Sequence, residues 1–176
     1  MLFVCTGNIC RSPTAERLAA AHGADHGASD FGVSSAGTRA VVGHPIHSDA
    51  ALVLESLGGD VSDFSARQLT PKILAGADLV LTMTRAHRDA VLERAPQKLH
   101  KTYTLCEAAR LASECGAKTI ADLPALRSLL PADKSLDILD PIGRDKEVFS
   151  MVGSRIADLL PPVLELAWRS SAPAGG

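Results

Sequence analysis

Cys5 and Arg11 are separated by Thr6, Gly7, Asn8, Ile9 and Cys10, and Ser12 and Pro13 follow directly. A thiol and a guanidinium at the two ends of a short loop suit one chemistry: capturing a tetrahedral oxyanion with a group that can also attack it. Successive backbone N–H groups of such a loop can converge on one point, and a helix starting just beyond adds positive potential. Gly7 permits close backbone approach or a positive φ, and Asn8 tolerates a left-handed conformation. Arg11 offers a planar fork for two oxygens of the anion. The same field favours a thiolate at Cys5, to which the Ser12 hydroxyl can donate. A nucleotide-binding loop of the GxxxxGKS/T type relies on lysine instead. Here the anion cradle contains its own nucleophile, which points to covalent phosphoryl transfer through a cysteinyl-phosphate. That reaction needs a general acid for the leaving group, usually a carboxylic acid. LDILDP offers both Asp137 and Asp140, and the residues alone leave the choice open. Asp140, before Pro141 and a glycine-containing turn, suits an exposed loop.

The elements around this stretch must hold Cys5 at the end of something rigid. MLFV (1–4) reads as a short buried strand, and PTAERLAAAH (13–22) as a helix with Ser12 as N-cap and Pro13 in its first turn. Residues 23–32 are small and polar, predicting a loop. VSSAGT (33–38), LVLTM (79–83) and KTYTL (101–105) read as strands, the last at an edge. Helical spacing marks 48–57, with Ser48 or Asp49 as cap, then 71–76 and 85–95. Between 106 and 139 the pattern gives a short helix at CEAARLASE and several turns. Residues 147–171 predict a long helix that Pro161-Pro162 should kink or divide. Short strands alternating with helices argue for a single α/β domain over 1–170, its parallel sheet covered on both faces, followed by a flexible tail at 171–176. Ligands of such sheets bind beyond the strand carboxyl ends, where Cys5 lies.

A chain of 176 residues, 46% apolar, supports a core without disulfides or metals. A net charge of −2 and the lack of a dense basic run exclude nucleic acid or an anionic membrane surface as the expected partner. The start is too short and uncharged for a secretory signal, and no apolar run reaches membrane-spanning length, so a cytoplasmic protein is expected. The spacing of Cys5, Cys10, Cys106 and Cys115 does not resemble a structural zinc site. Cys106 and Cys115 are expected to be buried or idle. No feature demands more than a monomer.

CTGNICRSP resembles the signature of the low-molecular-weight protein tyrosine phosphatases, as do SAGT (35–38), ADLVLTMTRAH (77–87), YTL (103–105) and DP (140–141). The resemblance implies a four-stranded parallel sheet flanked by helices, with Cys5 as nucleophile, Arg11 on the phosphoryl oxygens and Asp140 as general acid and base. It also implies that Thr6, Gly7, Asn8, Ile9, Cys10, Arg11 and Ser12 form the phosphate-binding loop. Asn8 and Ser35 keep that loop in shape, and Ser12 supports the thiolate. Cys10 is then a redox partner able to bridge Cys5 on oxidation, protecting it. The substrate is a phosphorylated protein or peptide. No cofactor and no metal are implied, because backbone amides and Arg11 neutralise the anion.

This chain departs from the family pattern in its pocket walls. Typical members carry an aromatic after SAGT and tyrosines after Asp-Pro, where Val41, Val42, Ile142 and Gly143 stand here. Phe64 replaces a histidine that helps hold the loop asparagine, so that support is expected to come from elsewhere. The chain also resembles the bacterial branch that includes protein arginine phosphatases. Arginine-specific members have threonine at the position of Ile9, whereas isoleucine is typical of tyrosine-specific loops, so phosphotyrosine is the favoured substrate. Arsenate reductase and a phosphate-binding regulatory module are the remaining alternatives. His44, His47, Arg39 and Arg144 are possible substrate contacts at the rim. Arg85, Arg88, Asp89 and Glu93 read as a solvated helix face, and Trp168 as packed on the sheet.

Overall fold

Leu2, Phe3, Val4 and Cys5 alternate between two apolar environments, as a strand buried on both faces must. In the computed structural model, which describes residues 1–25, 32–130 and 136–171, they form β1 (Leu2–Cys5). Phe3 and Cys5 join Leu81, Met83 and Tyr103 on one face, while Leu2 and Val4 meet Leu69, Leu74, Val80 and Val91 on the other. With β2 (Ser34–Gly37), β3 (Val80–Thr82) and β4 (Thr102–Thr104) they make an all-parallel sheet in the order β2-β1-β3-β4. The chain leaves β1 toward one side for β2 and later crosses to the other for β3. The carboxyl end of β1 is therefore the point where strand order reverses, and a crevice opens there.

The first face is covered by α1 (Arg11–Asp25) and α5 (Leu105–Ser113), along which α7 (Lys146–Ser171) packs, with α2 (Ser48–Ser56) against α1 and α7. The second face carries α3 (Pro71–Ala75) and α4 (Arg85–Arg94), whose Leu74 and Val91 fill a smaller core. A short α6 (Leu123–Leu126) lies between 3-10 turns. The result is the expected three-layer α/β domain. No helix among the described residues is long and apolar enough to cross a membrane.

Several boundaries depart from the sequence reading. Helix α1 starts at Arg11, so Ser12 lies within its first turn instead of capping it, and its hydroxyl faces Cys5 and Asn8. The helix also continues through Asp25 into the expected loop, most of which lies outside the described residues. His47, not Ser48 or Asp49, caps α2, its Nδ1 accepting from Asp49 N at 3.3 Å. Pro161 and Pro162 do not divide α7: buried Leu159, Leu160, Val163 and Leu164 anchor the helix on both sides of the missing amides. Trp168 stacks on His22 of α1, with centroids 5.4 Å apart, and packs against the core on the first face of the sheet. Arg85 and Arg88 are not simply solvated, pairing with Asp137 and Glu107 at 3.6 and 3.2 Å. Glu107 also closes a capping box with Thr104 at the start of α5. Of the expected tail at 171–176, Ser171 instead ends α7 and the rest lies outside the described residues.

Candidate active site

Cys5 is the last residue of β1 and Arg11 the first of α1, so the loop between them is fixed at both ends. Its outer side is tied to the segment after β2 by Thr38 N donating to Cys5 O (2.9 Å), Arg39 N to Thr6 O (3.0 Å) and Val41 N to Gly7 O (2.9 Å). Gly37 makes this approach feasible, because a Cβ there would collide with the Thr6 carbonyl oxygen. The positive φ within the loop falls on Asn8, at 55°, and not on Gly7.

Asn8 organises the loop's interior. Its Nδ2 donates to Ser12 Oγ at 2.9 Å and to Ser35 Oγ at 2.8 Å, and its Oδ1 accepts from Arg67 N at 2.8 Å. The Ser35 hydroxyl in turn donates a hydrogen bond to the Glu16 carboxylate. Ser12 Oγ accepts from Asn8 and keeps its own proton, which a thiolate at Cys5 Sγ, 2.9 Å away, can accept. A hydrogen bond directed in this way stabilises negative charge on sulfur. Sequence reasoning missed Glu16 and Arg67. Phe64 takes no part in holding Asn8 and instead lies beneath the Arg17 guanidinium, 5.6 Å from ring centroid to Cζ.

Arg11 is only 4% exposed; its Nη1 donates to Ile138 O at 3.0 Å and its Nη2 to Asp140 Oδ2 at 2.6 Å. The segment bearing Asp140 docks on the end of β3 through Ile138 N to Met83 O, 2.8 Å. Asp137 is turned the other way, accepting from Arg85 N at 2.7 Å at the start of α4. Of the two carboxylates left open by LDILDP, Asp140 reaches the cleft and Asp137 does not.

The cleft above the loop measures about 220 Å³. Cys5, Thr6, Gly7, Ile9, Cys10 and Arg11 line it from the loop, and Arg39, Val41, Asp140 and Ile142 from its sides. Among the described residues no aromatic side chain joins them, as the departures in sequence indicated. Val42 and Gly143 do not line it, and neither do His44, Arg144 or His47, whose ring stacks on Phe149 at 5.0 Å. Cys106 is buried, Cys115 is half-buried, and both lie off the cleft. Burial pushes the Cys10 thiol up to about 12, with Cys5 adding to the effect and Arg11 opposing it.

His87 is the least anticipated neighbour of the loop. The imidazole is 7% exposed, with Nε2 2.8 Å from Thr6 Oγ1 and Nδ1 2.9 Å from Thr84 Oγ1. Burial, reinforced by the positive charge of Arg11, lowers it to about 4, so it is neutral near pH 7. Its sequence signal was Thr84, which caps α4 three residues earlier and accepts from His87 N.

An open parallel sheet with a thiol, a guanidinium and a carboxylate gathered at its switch point defines a class that comparison with known proteins identifies. Residues 1–117 match the family model for low molecular weight phosphotyrosine protein phosphatase. The chain belongs to this family, whose members are cysteine-dependent phosphatases. Over 102 residues it is 38% identical to AmsI of Erwinia amylovora, covering 58% of this chain and 67% of that protein. The crystal structure of that tyrosine phosphatase superimposes with a TM-score of 0.71 at 26% identity, over 92% of this chain and 88% of AmsI. A protein-arginine-phosphatase of Geobacillus stearothermophilus is 39% identical over 105 residues, 60% of this chain and 68% of its own. The low molecular weight protein tyrosine phosphatase of T. tengcongensis shares 33% identity at a TM-score of 0.74, covering 93% of this chain and 96% of that one.

Proposed function

We propose that this chain hydrolyses phosphotyrosine in protein substrates by way of a phosphocysteine at Cys5. In this reading the loop N–H groups and Arg11 hold the three non-bridging phosphoryl oxygens. Cys5 Sγ attacks phosphorus opposite the phenolic oxygen, and Asp140 in its acid form gives that oxygen a proton as the P–O bond breaks. The resulting Asp140 carboxylate then takes a proton from a water that attacks the phosphocysteine. Orthophosphate leaves, and the sulfur departs as a thiolate held by the Ser12 proton. Binding the phosphoryl group requires Arg11 to release Asp140, which places the carboxyl group beside the leaving oxygen when it is needed. Charge is neutralised by backbone amides and one guanidinium, so the proposed reaction uses no metal or cofactor. Cys10, protonated across the physiological range and lining the same cleft, is the proposed partner for a reversible disulfide with Cys5.

The observation that carries this reading is the Ser12 hydroxyl 2.9 Å from Cys5 Sγ, held there by Asn8, which donates to both Ser12 and Ser35. Ile9 on the cleft surface favours phosphotyrosine, because an alkyl side chain has no hydroxyl to orient a phosphoramidate. The arginine-phosphatase relative supports phosphoarginine as the second reading, and the aliphatic walls favour neither substrate. Turnover of matched phosphotyrosine and phosphoarginine peptides, measured with chelator present, separates the two. Wild type should favour phosphotyrosine, and Cys5→Ser should lose turnover while still binding phosphate. An active Cys5→Ser enzyme, or one dependent on metal, would overturn the mechanism.

A further inference from the structure

Arg39 sits on a backbone that cannot drift from the anion loop, since its N–H and that of Thr38 both bond loop carbonyls. Its exposed side chain lines the cleft together with Cys5 and Arg11. Nearby arginines are engaged: Arg11 with Asp140, Arg85 with Asp137, Arg88 with Glu107, and Arg94 with the Ala90 carbonyl at 2.7 Å. The Arg39 guanidinium has no hydrogen bond or ion pair among the described residues. Arg11 is buried at the loop and committed to the phosphoryl group, so Arg39 supplies a cation that the phosphoryl group does not require. It lines the cleft from the same segment after β2 as the apolar Val41, while Ile142 comes from the segment that bears Asp140.

We propose that Arg39 is a specificity-determining subsite that binds a substrate carboxylate, an Asp or Glu flanking the phosphorylated residue. The proposal rests on the phosphoprotein reading above and deepens it. A neutral phenyl ring can pass between Val41 and Ile142 while the neighbouring acidic residue meets Arg39. A cationic guanidinium attached to phosphorus, as in phosphoarginine, would have to pass the same positive charge and is disfavoured by like-charge repulsion. One cleft thus attracts acidic phosphotyrosine peptides and rejects basic ones.

The test uses phosphotyrosine peptides identical except for acidic, alanine or lysine flanks, and matching phosphoarginine peptides. The readout is the ratio of kcat/KM for acidic over basic flanks within each enzyme, which cancels any loss of folded protein. Wild type should prefer acidic flanks about fivefold at low salt, the scale of one partly exposed ion pair. Added salt should shrink the preference. Arg39→Ala should bring the ratio to near one, and Arg39→Glu should invert it. A wild-type ratio near one, or an acidic preference unchanged in Arg39→Glu, would overturn the subsite. Exclusive turnover of phosphoarginine would sink the phosphotyrosine reading instead. The subsite would then stand or fall on the same ratio measured with the phosphoarginine peptides.

Discussion

Replacing Asp140 by Asn should tighten oxyanion binding while abolishing efficient turnover. Arg11 Nη2 lies 2.6 Å from Asp140 Oδ2, so the guanidinium that a bound oxyanion needs is already held by a carboxylate. Two unit charges 4 Å apart interact by about 4 kcal/mol at an effective dielectric constant of 20. That figure overstates the present pair: Arg11 is 4% exposed but Asp140 is 47% exposed, and water screens it. Fully exposed pairs contribute about 1 kcal/mol or less, and hydrogen bonds to charged groups about 1.5–3 kcal/mol. One buried and one half-exposed partner place the competition near 1.5 kcal/mol, or roughly tenfold in affinity. Asn keeps the side-chain volume and a neutral oxygen for Arg11, so the fold should survive. The measurement compares inorganic phosphate binding to Cys5→Ser and to Cys5→Ser/Asp140→Asn at neutral pH by calorimetry, where no thiolate complicates the charge. The double variant should bind about tenfold more tightly, with the gain falling as ionic strength rises. Equal or weaker binding would refute the idea that Asp140 competes for Arg11.

Two further perturbations follow from the loop's supports. His87 is lowered from 6.5 to about 4, so between those values the unfolded chain binds a proton that the folded one refuses. Its stabilising contribution is complete above pH 6.5 and is lost as pH falls through 4; the difference is about 3 kcal/mol. His87→Gln, neutral throughout, should flatten that part of the denaturant-measured stability curve, and parallel curves from pH 7 to 4 would disprove the assignment. Asn8→Ala removes three hydrogen bonds, two of them buried, and puts alanine at φ 55°. It should destabilise the fold by roughly 3 kcal/mol and weaken phosphate binding; a loss under about 1 kcal/mol would mean that the loop has other supports.

Cys5, Asn8, Arg11 and Ser12 were legible because they fall within residues 5–12: a strand end, a loop and a helix start form one local unit whose chemistry needs no distant partner. Asp140 was legible only through the family resemblance, since 129 positions separate it from Arg11 and the residues alone left Asp137 open beside it. Its selection over Asp137 depends on how the segment docks on β3, a tertiary event that a one-dimensional pattern does not encode. Glu16 was hidden for another reason. It lies four residues after Ser12, so helical spacing places it on the site's side of α1, yet it reads as an ordinary surface carboxylate. Arg67 contributes through its backbone N–H, which no side-chain motif can reveal. The misplaced cap has a physical cause as well. Ser-Pro-Thr before an apolar-periodic run carries the composition of an N-cap, but here the loop enters the helix directly and the hydroxyl faces sulfur.

Substrate choice under the proposed reading comes down to charge more than shape. Val41 and Ile142 present aliphatic surface that accepts a phenyl ring or the methylenes of an arginine side chain almost equally, because hydrophobic contact is non-directional. Shape alone therefore leaves the two phosphorylated residues poorly separated. Ile9 removes a polar contact that a phosphoramidate would use, but loss of a contact weakens one substrate without strengthening the other. Arg39 acts on both at once, repelling a cationic side chain and drawing in an acidic neighbour. Its effect is electrostatic and partly exposed, so it must weaken with salt, whereas the contribution of Ile9 must not. Comparing the two peptide classes across ionic strength would assign selectivity to the loop or to the rim, and the two residues cannot trade places in that result.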